Sequence, residues 1–261
     1  QKRTQEAKDV FVNTLKKHPN NERLRANFGN FLFFEEEIIS SIEEFTKVLK
    51  IFPNNILAQA TMALALEKVG EFKAAQIIIN NAYKENQKDP NICYAYGCVS
   101  LSQGLFERAK EAFKSAKRIQ PLFAVSEIGL AKVSLAIGDA KNASKHIQKA
   151  LQLDPKSGES YLLLIRSRNN TLNSKEKNSV ENIISSNSIK NQQKIYAYRA
   201  LGESAILNKG VLESLNFFDS AKKLHKEMLI KNEIYFSEID FKKAAKRLQG
   251  FSNIAKTSGR N

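Results

Sequence analysis

The sequence predicts an all-α chain, a solenoid of antiparallel helix pairs, and three observations carry the prediction. The first is a spacing. Gly70, Gly104 and Gly138 stand 34 residues apart, as do Ala75, Ala109 and Ala143, then Ala82, Ala116 and Ala150, then Gly29, Ala63, Gly97 and Ala131. A fixed internal period of this length marks supersecondary units that bury their apolar faces on one another, and so one elongated domain. The second is the pattern inside a unit, which changes face twice at helical spacing. The third is the punctuation: Pro19 and Pro53, then Pro121 and Pro155, keep the same step, with Gln87 where a proline is missing.

The stretch Gly97 to Pro121 shows the unit most clearly. Tyr96, Gly97, Ser100 and Leu101 recur at three- and four-residue steps, the period of one helix face. Gly104 then supplies a residue that takes positive φ at a helix end. Phe106, Ala109, Ala112, Phe113 and Ala116 repeat the helical period, and Pro121 closes the pair because proline has no donor with which to continue. Lys114, Lys117 and Arg118 lie toward the negative end of that second helix. Small residues at 97, 109 and 116 let helices approach closely, and Phe113 fills the space between pairs.

A helix pair of this period, with those small residues and a closing proline, resembles the tetratricopeptide repeat. The match runs over four consecutive units from Pro19 to Pro155 without a gap. The resemblance implies a right-handed superhelical solenoid. Its departure is the bulky fourth position of each unit, where Arg25, Gln59, Cys93 and Glu127 stand.

Taken in order, residues 1–18 read as a half repeat or N-terminal capping helix, since Ala7 and Phe11 precede Pro19 as Ala109 and Phe113 precede Pro121. Residues 19–170 hold the repeats, ending in a fifth leading helix marked by Tyr161, Leu162, Leu164 and Ile165. Residues 171–191 read as a divergent helix and loops, with Asn173 and Glu176 placed as a helix cap before Val180, Ile183 and Ile184. Register returns at Gly202, Phe218 and Ala221, which places a further repeat-like pair over 192–226. Residues 227–261 read as a capping amphipathic helix, with Ile239, Phe241, Ala244, Ala245 and Leu248 on one side and Lys242, Lys243, Lys246 and Arg247 on the other, then a frayed tail.

The net charge of +14 and a pI near 9.6 favour acidic partners, whether protein, nucleic acid or anionic lipid. Lysines that only solvate outer helix faces give the same balance. Cys93 and Cys98 lie five apart on one helix and point to different faces, so neither a disulfide nor a metal site is expected, and a reducing, cytoplasmic setting is. The apolar runs are too short to span a membrane, and QKRTQEAKDV does not read as a signal peptide. The missing initiator Met fits a processed or excised chain.

No catalytic, cofactor or metal site is expected, and the chain does not read as an enzyme. His18, His146 and His225 fall in different repeats, near helix ends where a cation suits the dipole. Glu35 to Glu37 and Glu43–Glu44 read as solvated charge on exposed faces. No phosphate loop, nucleophile elbow or zinc spacing is present.

The tetratricopeptide resemblance implies that the leading helix of each pair lines a concave groove. Carried across, the groove residues are Asn30, Phe33, Phe34, Leu64, Lys68, Asn91, Tyr94, Cys98, Leu101, Ile128, Lys132, Leu162, Arg166 and Asn169, with Arg23, Leu57, Val125 and Leu135 beside them. About half, above all Phe33, Leu64, Leu101 and Leu135, are expected to pack on adjacent helices instead. An apolar groove with a few donors suits a short peptide or helix carrying an acidic group. The two-carboxylate clamp by which family members hold chaperone tails is not matched: Asn30 fits, but Ala26, Thr61, Asn91 and Ala95 stand at its other positions. Residues 167–250 also look like the segment that links such repeats to a sulfotransferase domain in certain bacterial proteins. The expected function is a protein-interaction scaffold; the alternatives are the non-catalytic repeat region of a sulfotransferase, and an RNA- or ribosome-associated basic protein.

Overall fold

The computed structural model describes residues 2–231, in which thirteen helices and no strand are found. They are α1 (Lys2–Lys17), α2 (Glu22–Phe34), α3 (Ile38–Ile51), α4 (Ile56–Lys68), α5 (Phe72–Glu85), α6 (Pro90–Ser102), α7 (Phe106–Ile119), α8 (Ala124–Ala136), α9 (Ala140–Leu153), α10 (Gly158–Arg168), α11 (Ser174–Ser185), α12 (Asn191–Leu207) and α13 (Val211–Lys231). The even-numbered helices lead a pair and the odd-numbered ones trail. The capping helix expected within 227–261 lies, beyond Lys231, outside the described residues.

The single elongated domain expected from the repeat register is found as two compact bodies, residues 2–104 and 105–231. Each repeat meets only its neighbours, so no core has to run the length of the chain. In the first body, Phe45, Met62, Leu66, Ile79 and Ile92 are fully buried between α2 and α6. A smaller cluster of Leu15, Phe28 and Leu32 docks α1, with the Phe11 ring stacked 5.2 Å from that of Phe28. In the second body the core gathers Ile147, Leu164, Ile183 and Ala197.

The small residues of the period do what close packing requires. A Cβ added at Gly29 would stand 2.9 Å from the Phe45 ring, and one at Gly129 would stand 2.6 Å from the Phe113 ring. Each ring thus lies against a helix backbone, and burying one contributes roughly 1.5–3 kcal/mol. Within the pairs, Gly70, Gly104 and Gly138 turn the chain at φ of 82°, 73° and 79°. Glu36 occupies the same place in the first repeat at φ 66°, a conformation that costs a residue with a Cβ.

Leading helices start on a side-chain cap at the same repeat place. Asn21, Asn55, Asp89 and Ser157 accept from the backbone N–H groups of Leu24, Ala58, Ile92 and Ser160, while Phe123, before α8, makes no side-chain cap. The polar fourth positions also have a physical account. Arg25 Nη2, Gln59 Nε2 and Cys93 Sγ donate to the carbonyl oxygens of Pro19, Pro53 and Gln87, at 2.7, 2.8 and 3.2 Å. In these three units a donor at the fourth position is tied to the loop before the helix. Glu127 has no proton to give at this place. It is 2% exposed, and it draws Lys117 Nζ to 2.7 Å and His146 Nδ1 to 2.6 Å instead. From the fifth repeat the fourth position is aromatic, with Tyr161 buried.

Two histidines and one glutamate sit differently from what the sequence predicts. His146 and His225 lie within α9 and α13, not at helix ends, and His146 is held by Glu127. Glu44 is not solvated charge: it is 9% exposed and paired with Arg25 at 2.6 Å and Lys47 at 2.5 Å. Arg25 and Glu44 lie 19 residues apart on different helices, which periodicity does not report.

Between the fifth leading helix and the last pair, α11 begins with a full capping box. Asn173 accepts from Glu176 N at 2.9 Å, and the Glu176 carboxylate accepts from Asn173 N at 3.0 Å. Val180 and Ile183 anchor α11 to the core. At their N-terminal ends α10 and α12 touch backbone to backbone, since a Cβ on Gly158 would fall 2.1 Å from the Gln193 carbonyl oxygen.

Candidate functional site: the face of the leading helices

In the first body α2, α4 and α6 pack side by side. Phe33 and Leu64 are half-buried against the core, so they support this face more than they present it. Phe34 is 55% exposed and meets Phe33 edge to face at 5.7 Å and 78°. Lys68 Nζ lies 5.4 Å from the centre of the Phe33 ring, a cation held over an aromatic face. Thr61 Oγ1 donates to Asn30 Oδ1 across the α2–α4 seam at 3.4 Å. On α6, Asn91 is exposed while Tyr94, Cys98 and Leu101 are half-buried. Below this face, Arg23, Asn27, Asn54 and Leu57 line an open cavity of about 520 Å³ at the N-terminal ends of α2 and α4.

In the second body the leading helices α8, α10 and α12 carry a different chemistry. Ile128 and Leu162 are 7% and 3% exposed, so they belong to the core rather than to a binding surface. Lys132 is paired with Glu159 at 2.5 Å. Arg166 grips the Glu203 carboxylate through Nε at 3.2 and 3.1 Å and Nη2 at 2.6 Å. That hydrogen bonding to Glu203, against the opposing effect of burial, raises the guanidinium further above its ordinary range. Asn169 ends α10 in the left-handed conformation at φ 47°. Tyr196 packs beside this row, and burial first, then the nearby Glu159 charge, pushes its hydroxyl up.

Glu159, Glu203 and Tyr196 were not singled out in the sequence. Asn30, Leu64, Cys98, Lys132 and Arg166 follow one another at 34 residues, and Glu203 continues that row after a step of 37. The same row that picked out Arg166 therefore contained its partner, once the extra residues around α11 are allowed for. The donors of the second body are thus already matched by carboxylates, while Lys68 in the first is matched by a ring. Among the described residues no group of three His, Cys, Asp or Glu comes together to hold a metal, and no helix is long and apolar enough to cross a membrane.

A fold of antiparallel helix pairs in this register, with small residues under aromatic rings, defines an all-α protein of the right-handed tetratricopeptide-solenoid class. The tetratricopeptide repeat family model matches residues 90–121, so that stretch is a tetratricopeptide repeat, and the helix pairs on either side of it keep the same fold. BBSome complex member BBS4 of Xenopus tropicalis is 31% identical over 128 residues, 49% of this chain and 25% of that protein. That of Mus musculus is 30% identical over 125 residues, 48% of this chain and 24% of that protein. The chain spans about a quarter of the length of these curated relatives. Among solved structures, a tetratricopeptide repeat protein from Parabacteroides merdae has a TM-score of 0.61 at 14% identity, covering 93% of this chain and 91% of that one. Human IFIT1, solved as a dimer with m7Gppp-AAAA, has a TM-score of 0.72 at 14% identity, covering 89% of this chain and 58% of that one. At that identity both likenesses concern the fold. The resemblance of residues 167–250 to a sulfotransferase linker is not borne out by these relatives.

Proposed function

We propose that the chain is a non-catalytic protein-interaction scaffold, and that a peptide or helical segment of its partner lies on the face of the leading helices. The observation that carries this reading is the Phe33, Phe34 and Lys68 cluster, an exposed ring and a cation held beside a supported ring. A rigid aromatic with an adjacent cation is the kind of anchor that dominates binding energy at protein interfaces, and Lys68 suits an acidic group on the segment. In the second body, Lys132 and Arg166 would be reached only by exchanging their carboxylate partners, so the ligand there is expected to carry both signs of charge. The likeness to BBSome complex member BBS4, a protein named as part of a complex, supports a scaffold.

The test is capture of partners by the immobilised chain. Replacing Phe34→Ser together with Lys68→Glu lowers capture about tenfold, as the loss of one hot-spot pair would. Val10→Ser on α1, which removes an exposed apolar residue away from the leading helices, leaves it unchanged. Equal capture by all three proteins would reject the reading.

A further inference from the structure

The second body contains a cleft that the leading-helix face does not use. It lies between α7, α8 and α9 and encloses about 640 Å³. Leu130, Val133 and Ile137 form its floor. At 100° per residue these three point roughly 150° away from Ile128 and Lys132 around α8, so the cleft opens on a face of its own. One wall is a row of cations on α7, Lys110, Lys114, Lys117 and Arg118, which helical spacing brings onto one side over about 12 Å. The opposite wall is Asp139, Asn142 and His146.

The balance of charge in this cleft is uneven. Lys114 is matched by Glu111 at 2.8 Å, and Lys117 by the buried Glu127. Asp139 is occupied in accepting from the backbone and side chain of Asn142 at 3.0 and 2.6 Å. Lys110 and Arg118 form no ion pair among the described residues. Glu127 fixes two corners of the cleft at once, holding Lys117 on one wall and His146 on the other.

From this charge complementarity we propose that the cleft is a second docking surface and takes an acidic amphipathic helix of a partner protein, its aliphatic side on Ile137 and its carboxylates against Lys110 and Arg118. Ile137 leaves 46% of its surface open for that contact. A helix seated along an aliphatic floor between two helices is a recurrent mode of peptide recognition. No Phe, Tyr or Trp lines the cleft, and its one imidazole, His146, is held by Glu127, so it offers no run of free rings on which nucleic-acid bases could stack.

The experiment uses the full chain and a fluorescein-labelled helical peptide that places Leu at three- and four-residue steps and Glu on both flanks, read by fluorescence anisotropy. The expected result is binding that weakens about tenfold or more when Lys110→Glu and Arg118→Glu are combined, since two attractive contacts become repulsive. Ile137→Glu, a change at an exposed position that leaves the cations in place, is expected to weaken it to a similar degree, and both losses are expected to persist in a Lys68→Glu background, in which the leading-helix face is silenced. Absence of binding, binding indifferent to the charge reversal, or binding lost on Lys68→Glu would each overturn the proposal. So would a single-stranded RNA oligonucleotide that binds more tightly than the peptide and loses affinity on the same reversal.

Discussion

The first helices of residues 2–104 and the α8 helix of residues 105–231 begin in different ways. In the first body each leading helix starts on Asn21, Asn55 or Asp89, and four residues on it carries Arg25, Gln59 or Cys93, tied to the carbonyl six residues earlier. Helix α8 starts at Phe123 with no side-chain cap, and four residues on it carries an acceptor, Glu127. The backbone geometry is kept while the polarity of one buried place is inverted. The consequence is local and chemical: a buried acceptor must be satisfied, so Glu127 organises Lys117 and His146 from two other helices, and both of them line the basic cleft. Repeat geometry is therefore set by small residues and rings, and polar residues at equivalent places are free to build different surfaces.

The largest expected effect tests what the two bodies share. Phe45 and Phe113 both lie on a glycine with no exposure, so Phe45→Ala and Phe113→Ala each cost about 3–5 kcal/mol in denaturant unfolding. A loss confined to one of them would show that the ring-on-glycine contact is not a common support.

Next comes the inverted position itself. Glu127→Ala leaves Lys117 and His146 without their acceptor and costs about 1–3 kcal/mol, and Arg25→Met, which strips both Glu44 and the Pro19 carbonyl of a donor, costs a similar amount. Burial acts to raise the Glu127 carboxyl, but the hydrogen bonds from Lys117 and His146 outweigh it and hold the group below its ordinary value. A carboxyl lowered on folding stabilises fully above its unfolded value, and that contribution disappears as pH falls through the folded one. Glu127→Gln is therefore expected to melt below the wild type at neutral pH, and the gap is expected to close on acidification below the glutamate range. A gap that stays constant with pH would contradict the ion-pair account.

A smaller effect sharpens the contrast at the caps. Asn55→Ala costs about 1 kcal/mol by removing the acceptor for Ala58 N, as thermal melts would read. The smallest is a gain. Lys209 turns the chain before α13 at φ 60°, where Gly70, Gly104 and Gly138 stand in other repeats, so Lys209→Gly raises stability by about 0.5–1 kcal/mol.

The fold class was legible because the residues that impose it repeat in a visible way: glycine or alanine where helices cross, phenylalanine on top of them, and proline between pairs. The cap of α11 was equally legible, since Asn173 and Glu176 form a local signature before an apolar stripe. The pairs that shape the surfaces were not. Glu127 and His146 are 19 residues apart and Arg166 and Glu203 are 37 apart, so no window of helical periodicity contains both partners. Burial of Ile128 and Leu162 was also hidden, because it depends on α8, α10 and α12 packing in succession rather than on the face of any one helix. The cap places Asn21, Asn55, Asp89 and Ser157 share a register that was readable, and lining them up would have exposed Phe123 as the exception.

The central claim is that partner protein lies on the leading helices, and site-specific photocrosslinking tests it most directly. With p-benzoylphenylalanine placed at Phe34, at Tyr94 or at Val10, the account predicts partner adducts from positions 34 and 94 and none from position 10. Adducts from position 10 alone would contradict it.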